Sequence, residues 1–142
     1  MATSNAATTY LENKILDFLF KNNSSSFTTP GNSIYVGLAT AVADAEAGSL
    51  TEATFGAYAR QQVNAAGWTL ASSSTDTQTV TNAANIEYSA STGTTNTVTH
   101  AFIADAATSG NILFVGALDA SKTIATGDIF RINAGNLTIE LK

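Results

Sequence analysis

The chain holds one histidine, His100, and no cysteine, so any histidine-dependent chemistry must pass through a single side chain. A Ser-His-Asp arrangement would have to borrow Asp105 or Asp119 and one of many serines, and no stretch resembles the strained turn that exposes a nucleophilic serine. On an extended strand Asp105 stands five positions from His100 and therefore on the opposite face. One histidine is too few for zinc, which takes three or four ligands. His100 is therefore expected to be a half-buried strand residue with a hydrogen bond to backbone.

The carboxylates offer two further kinds of chemistry. Asp44 and Glu46, with Glu52 nearby, could supply oxygen ligands to calcium, but the loop lacks the Asp/Asn density and glycine placement of a calcium loop. A solvated acidic loop is the expectation. A glycosidase needs two acids at a set separation, and eleven acidic residues always supply two at some workable distance. Nothing in their spacing selects a pair. Arg60 and Arg131 are the two arginines. Their planar forks suit a carboxylate partner, with Glu52, Glu87 and Asp128 as candidates, and a role in fixing strands or a subunit contact is expected over substrate binding. Tyr10, Tyr35, Tyr58, Tyr88 and Trp68 lie on separate elements and read as packing residues, not as a stacking ladder for sugar or single-stranded nucleic acid. No catalytic, cofactor-binding or metal-binding residue is assigned, and no enzyme is expected.

The composition bounds the partners. Charged residues make up 12% of the chain, about half the usual ~25%. Ser and Thr fill the difference, which favours strands over long solvated helices. A net charge of −5 with six scattered basic residues makes nucleic acid and anionic membrane surfaces poor partners. The start, MATSNAATTY, lacks the basic and apolar regions of a signal peptide, and no later run reaches membrane-spanning length, so a soluble protein is expected. At 142 residues one domain with a real core is expected.

The elements that must position these residues are mostly strands. Val98 to Leu118 reads as a central hairpin: two apolar runs, Val98 to Ala104 and Ile112 to Leu118, flank the loop DAATSGN. Ahead of it, SIYVGLAT alternates as a strand, with Ile34, Val36 and Leu38 opposed to Tyr35, Gly37 and Ala39. AVADAEAGSLTEATFG reads as a long loop. AYARQQVN and GWTLA read as a strand pair turning near Ala65-Ala66-Gly67, SSSTDTQT as a turn, and NIEYS as a short strand. Thr126-Gly127-Asp128 and Asn133-Ala134-Gly135-Asn136 read as turns, and LTIELK alternates. Nine or ten short strands at this spacing predict a mainly β fold, an antiparallel β-sandwich of jelly-roll-like or immunoglobulin-like form.

One helix precedes it. Thr9-Tyr10-Leu11-Glu12 fits a capping box, and Leu11, Ile15, Phe18 and Leu19 follow on one apolar face. Asp17 and Lys21 sit at a favourable i,i+4 spacing. The expected organisation is an arm over residues 1–9, a helix over 10–22 and one sandwich domain over 23–142, with Pro30 closing the linker. Leu11, Ile15, Phe18 and Leu19 either cap an open end of the sandwich or dock, with the arm, on a neighbouring subunit.

These stretches together resemble a family of small bacteriophage virion proteins, labelled tail-fibre or minor structural proteins. The likeness runs through YLENKILDFLF, IYVGLAT, an acidic loop, TEATFGAYARQQV, NIEYS, VTHAFIADAATSGNILFVGAL, SKTIATGDIFRINAG and LTIEL, from about Tyr10 to Leu141. Glu52 and Gly56 to Gln61 match its "E…GxYARQ" pattern. The stretch between Gly67 and Val80 departs, being rich in Ser and Thr where relatives carry Gly and Ala. The resemblance implies a non-enzymatic, β-rich virion structural protein without cofactors. It would be a tail-fibre-like component assembled with copies of itself, as a homo-oligomer of trimeric habit, and with tail or major capsid proteins. A capsid decoration protein that stabilises the shell is the alternative. A module binding a host surface glycan is another, and it would need exposed aromatics, with Trp68 and Tyr58 the nearest. A depolymerase would need paired carboxylates in a groove.

Overall fold

The structure, a computed structural model, describes residues 5–23, 34–70 and 78–141. The expected linker with Pro30 and most of the SSSTDTQT turn lie outside the described residues. The fold is mainly β, with antiparallel sheets and one N-terminal helix, as the strand spacing predicts.

The largest sheet runs in the order β1 (Ala6–Ala7), β9 (Ile112–Ile124), β8 (Asn96–Ala104), β2 (Tyr35–Asp44) and β3 (Ser49–Glu52), with β4 (Gln61–Gln62) also paired to β2. Two smaller sheets complete the sandwich. One joins β10 (Arg131–Ile132) to β7 (Ile86–Glu87), and the other orders β11 (Thr138–Leu141), β6 (Gln78–Asn82) and β5 (Trp68–Leu70). The predicted β8–β9 hairpin is present, and β8 is central. β9 is not central: only the two-residue β1 lies outside it, and most of its residues from Ala117 to Thr123 are exposed.

Alternation along β2 and β8 divides the buried residues between two faces. Val36, Leu38, Ala101 and Ile103 enter the main core with Phe55, Val63, Ile86, Tyr88 and Ile132. Ala39, Phe102 and Ala104 turn the other way and pack with Ala45 and Val115. Gly37 stands opposite Phe102. A Cβ at Gly37 would lie within 2.2 Å of the Phe102 ring, so this strand position requires glycine for the ring to lie across it.

Two pairings differ from expectation. Residues 45–52 form a hairpin and not a long loop: Ala45–Gly48 turns tightly, with Gly48 at φ 66°, and β3 returns along β2. Small residues hid it, because alanine carries little hydrophobic period, yet Ala39 and Ala45 are fully buried. β4 pairs with β2, and β5 pairs with β6, so the proposed AYARQQVN–GWTLA strand pair does not exist. A short 3₁₀ turn, Ala65–Gly67, redirects the chain between them.

The helix α1 spans Thr9–Phe20, and its cap is Thr8, not Thr9. Thr8 Oγ1 accepts from Leu11 N at 3.3 Å and donates to Ile112 O at 2.6 Å. The sheet therefore chose the cap: Thr8 is the threonine whose hydroxyl reaches β9. Asn22, at φ 53° beyond the last turn, ends the helix in a conformation asparagine tolerates. Among the described residues no helix is long and apolar enough to cross a membrane.

Candidate functional site

Charged chemistry concentrates around Arg60. β2 and β3 bring Glu52 beside it, and the guanidinium closes a fork on that carboxylate, Nε to Oε1 and Nη2 to Oε2, each 2.8 Å. Nη1 donates to Ala106 O at 2.9 Å and Ser109 O at 2.8 Å. The guanidinium also stacks on Phe102, 5.0 Å from the ring centroid, a favourable geometry for a desolvated cation. Tyr58 completes the cluster. Its hydroxyl donates to Glu52 Oε1 at 2.8 Å and accepts from Leu38 N at 2.9 Å.

Electrostatics follow from these contacts. Burial works to raise the Glu52 carboxyl, but hydrogen bonds from Arg60 and Tyr58, with the guanidinium charge, outweigh it and hold the pKa below the ordinary carboxylate value. The Glu52 hydrogen bond raises the Arg60 pKa. Burial and the neighbouring carboxylate push the Tyr58 hydroxyl well up, and burial does the same to Tyr88. The cluster is thus a fixed ion pair with a neutral phenol. With the Arg60 side chain only 6% exposed, the guanidinium presents nothing to a substrate. Its work is mechanical: it ties the 105–111 loop to β3. Within that loop Asp105 accepts from Asn111 N and Nδ2, both at 2.7 Å, and Gly110 holds φ 71° where a Cβ would lie 2.5 Å from Asp105 Oδ1.

The other sequence candidates separate. Arg131 pairs with Glu87 across the β10–β7 register, with Nε 2.6 Å from Oε2, on the surface. Asp128 instead caps a turn, accepting from Ala125 N at 2.9 Å. His100 is half-buried as expected, but its partner is a side chain: Thr99 Oγ1 donates to Thr40 O at 3.1 Å and meets His100 Nδ1 at 2.8 Å. Asp44 Oδ1 accepts from Glu46 N and Ala47 N at 3.1 and 3.3 Å, which makes it the brace of the β2–β3 turn. Among the described residues no group of three or more His, Asp or Glu side chains is placed to hold a metal ion.

The aromatics, far apart in sequence, do meet. Tyr58 and Tyr88 stack at 5.9 Å and 8°, with Phe55 edge-on to Tyr58 and Phe130 edge-on to Tyr88. This row lies within the main core, and Tyr88 donates to Val36 O at 2.9 Å. Trp68 is half-buried, and its Nε1 donates to Val63 O at 3.3 Å. Two open surface depressions stand out: one beside α1, lined in part by Lys14, Asp17, Phe20 and Lys21, and one between the end of β9 and β10, lined in part by Lys122, Asp128 and Arg131. Each contains a single carboxylate.

α1 is different in kind. Leu11 is buried against the chain's own sheet and Ile15 is half-buried. Beyond that turn Phe18 is 44% exposed, Leu19 64%, Leu16 54% and Phe20 78%. The four residues read as one face are thus split between an anchored end and an open one. Leu16 and Phe20 were missed because a single apolar stripe was assumed. The signal was present in ILDFLF, where five of six residues are apolar, too many for one face of a surface helix.

A family model described as Gp80, podophage GP4 fiber I protein gp80, matches residues 6–140. No curated protein matches the chain.

Proposed function

The chain belongs to the podophage GP4 fiber I protein gp80 family, a phage virion structural protein family, and from that premise we propose that it is a non-enzymatic fibre subunit that assembles with copies of itself through the open end of α1. Its place is the virion. The carrying observation is the group Leu16, Leu19 and Phe20, each more than half exposed. On a helix these three fall on one side, and an exposed apolar face marks an interaction site.

Charge favours a second copy as the occupant. Between residues 35 and 141 the chain carries nine acidic and three basic side chains. Two of those basic residues, Arg60 and Arg131, are already paired. Lys14 and Lys21 flank the open apolar face beside Leu16 and Phe20, with Asp17 the one carboxylate among them. An apolar patch with two cations to one carboxylate suits the acidic body of a neighbouring copy, and repeated contacts of this sort add up in a fibre. Contacts with other virion proteins use the remaining surface, and the 105–111 loop held by Arg60 offers one rigid element. The family is described by a fibre, which favours the fibre position over capsid decoration. The internal use of Tyr58, Tyr88 and Trp68 weighs against a glycan-binding role.

The test is solution mass. The native protein is expected to run as a multiple of 14.6 kDa, and the double variant Leu19→Ser, Phe20→Ser as a folded single chain. A native single chain, or a variant with undiminished mass, rejects the reading.

A further inference from the structure

Backbone strain gathers at one place in this chain. Among the described residues three non-glycine positions hold a positive φ: Asn22 at 53°, Ala57 at 67° and Ser109 at 54°. Asparagine tolerates that region, whereas alanine and serine resist it because Cβ crowds the following carbonyl oxygen. Both resisting residues belong to the Arg60 cluster. Ala57 directly precedes Tyr58, whose hydroxyl donates to Glu52. Ser109 supplies one of the two carbonyls that accept from Arg60 Nη1.

At Ala57 the strain has a local cause. Tyr58 N donates to Phe55 O at 2.9 Å, which closes a turn with Gly56 and Ala57 at its centre. Close approach claims the glycine: a Cβ at Gly56 would overlap Thr92 Oγ1 and lie 2.7 Å from Gly93 N. The left-handed position therefore falls to alanine. At Ser109 burial is not the cause, since Ala107, Thr108, Ser109 and Gly110 are all exposed. Gly110 follows at φ 71°, so the tip takes two left-handed steps in a row, the first of them on a serine. Asp105 braces the base of the loop through Asn111. Arg60 Nη1 reaches the tip, bridging Ala106 O and Ser109 O. The guanidinium is itself fixed by the fork on Glu52 and by the Phe102 ring. The anchor lies in the body, and the strained residue lies at the exposed tip.

We propose that Arg60 is a latch on the 105–111 loop: the guanidinium holds the loop in a strained conformation, and its withdrawal lets Ser109 leave the left-handed region. The loop thus has a latched and a released conformation, and the Glu52–Arg60 fork sets the balance between them. Backbone strain persists only where the surrounding structure over-determines it. At this tip the over-determining group is one side chain. The β8–β9 pairing ends at Ala104 and Ile112, so release is confined to the loop and leaves the strands in register. This device goes beyond the self-assembly reading and does not depend on it.

Glycine in place of the strained residue reads the stored strain directly, because glycine adopts a positive φ without the Cβ contact. Ser109→Gly in the full-length chain is expected to raise Tm, the relief of strain outweighing the freedom that glycine adds to the unfolded chain. In an Arg60→Met background the same change is expected to give no rise, since a released loop has no strain to lose. Arg60→Lys, which keeps the cation and loses the fork, serves as a second background. A Tm that does not rise on Ser109→Gly in the native chain means that the loop stores no strain, and overturns the latch. An equal rise in all three backgrounds means that Arg60 does not hold the strain, and overturns it too. If neither Arg60 variant folds, amide exchange in the native chain decides. The latch predicts that the Asn111 amide, bonded to Asp105, exchanges as slowly as the protected amides of β8. Fast exchange at Asn111 beside slow exchange in β8 shows a loop that opens unaided, and overturns the latch.

Discussion

The sandwich body and the N-terminal unit solve the same problem in opposite ways. In the body even a charged group is satisfied at home: Arg60 finds a carboxylate, two carbonyls and an aromatic face within one chain. In α1 the second half leaves Leu16, Leu19 and Phe20 more than half exposed. The body also exposes Leu70 and Ile129, so the contrast lies in the density of exposed apolar side chains on α1, which would suit a subunit whose stability and whose assembly are separately encoded. The prediction that breaks or sharpens this comparison is simple. Body substitutions should change stability and leave subunit contact alone, while outer-face substitutions should do the reverse.

The largest effect is expected from Phe102→Ala, which opens a cavity between Gly37 and Arg60 and removes the platform under the guanidinium. A loss of about 4 kcal/mol is expected in denaturant unfolding. Arg60→Met comes next. It leaves a partly buried Glu52 carboxylate and the loop carbonyls of Ala106 and Ser109 without their donor, and should cost about 3 kcal/mol. Since Glu52 still has Tyr58 and some solvent, Glu52→Gln in the same background should recover part of that loss, read as a double-mutant cycle.

The same pair sets a pH dependence. The folded-state pKa of Glu52 lies below its ordinary value of 4.5. Its contribution is therefore complete at neutral pH and declines as pH falls through the depressed value. Tm measured from pH 7 downward should fall more in the native protein than in Glu52→Gln. Tyr88 behaves in the opposite sense. Its raised pKa favours the neutral phenol, so stability is full below its ordinary value of 10.0 and declines above it. Tyr88→Phe should lose less stability between pH 9 and 11 than the native chain does.

Thr8→Ala removes both the helix cap and the bond to Ile112 O, and is expected to cost about 1 kcal/mol. The smallest effect on stability belongs to Leu19→Ser on the open face, within about 0.5 kcal/mol. That same substitution should weaken association, seen as a native mass that falls on dilution.

The two regions also differed in how far they could be read in advance. β8 was visible as an apolar, β-branched run, β11 by its alternation, and the turns at Gly127 and Gly135 by glycines that take a positive φ. Of the carboxylate candidates for the two arginines, Glu52 and Glu87 form the pairs and Asp128 caps a turn instead. What stayed hidden depended on contacts distant in sequence. Thr8 became the cap because Ile112 O lies within reach of it, 104 positions away. Tyr58 and Tyr88 stack because both hydroxyls reach β2, at Leu38 N and Val36 O, and no spacing rule reports that. The β2–β3 hairpin was missed because its strands are built from alanine, threonine and serine, whose burial depends on neighbours and not on period. On α1 an apolar face was recognised, but Leu11 alone of its residues is buried.

The account stands or falls on whether the body is complete without the N-terminal unit and alone without it. The direct measurement is the solution mass and thermal unfolding of a chain lacking residues 1–22, beside the full-length protein. The account predicts an oligomer for the full chain. For the shortened chain it predicts a cooperatively unfolding body at single-chain mass. A shortened chain that stays oligomeric would place assembly on the strand faces or loops, and one that no longer folds would make α1 part of the body's own core. Either result contradicts the division drawn here.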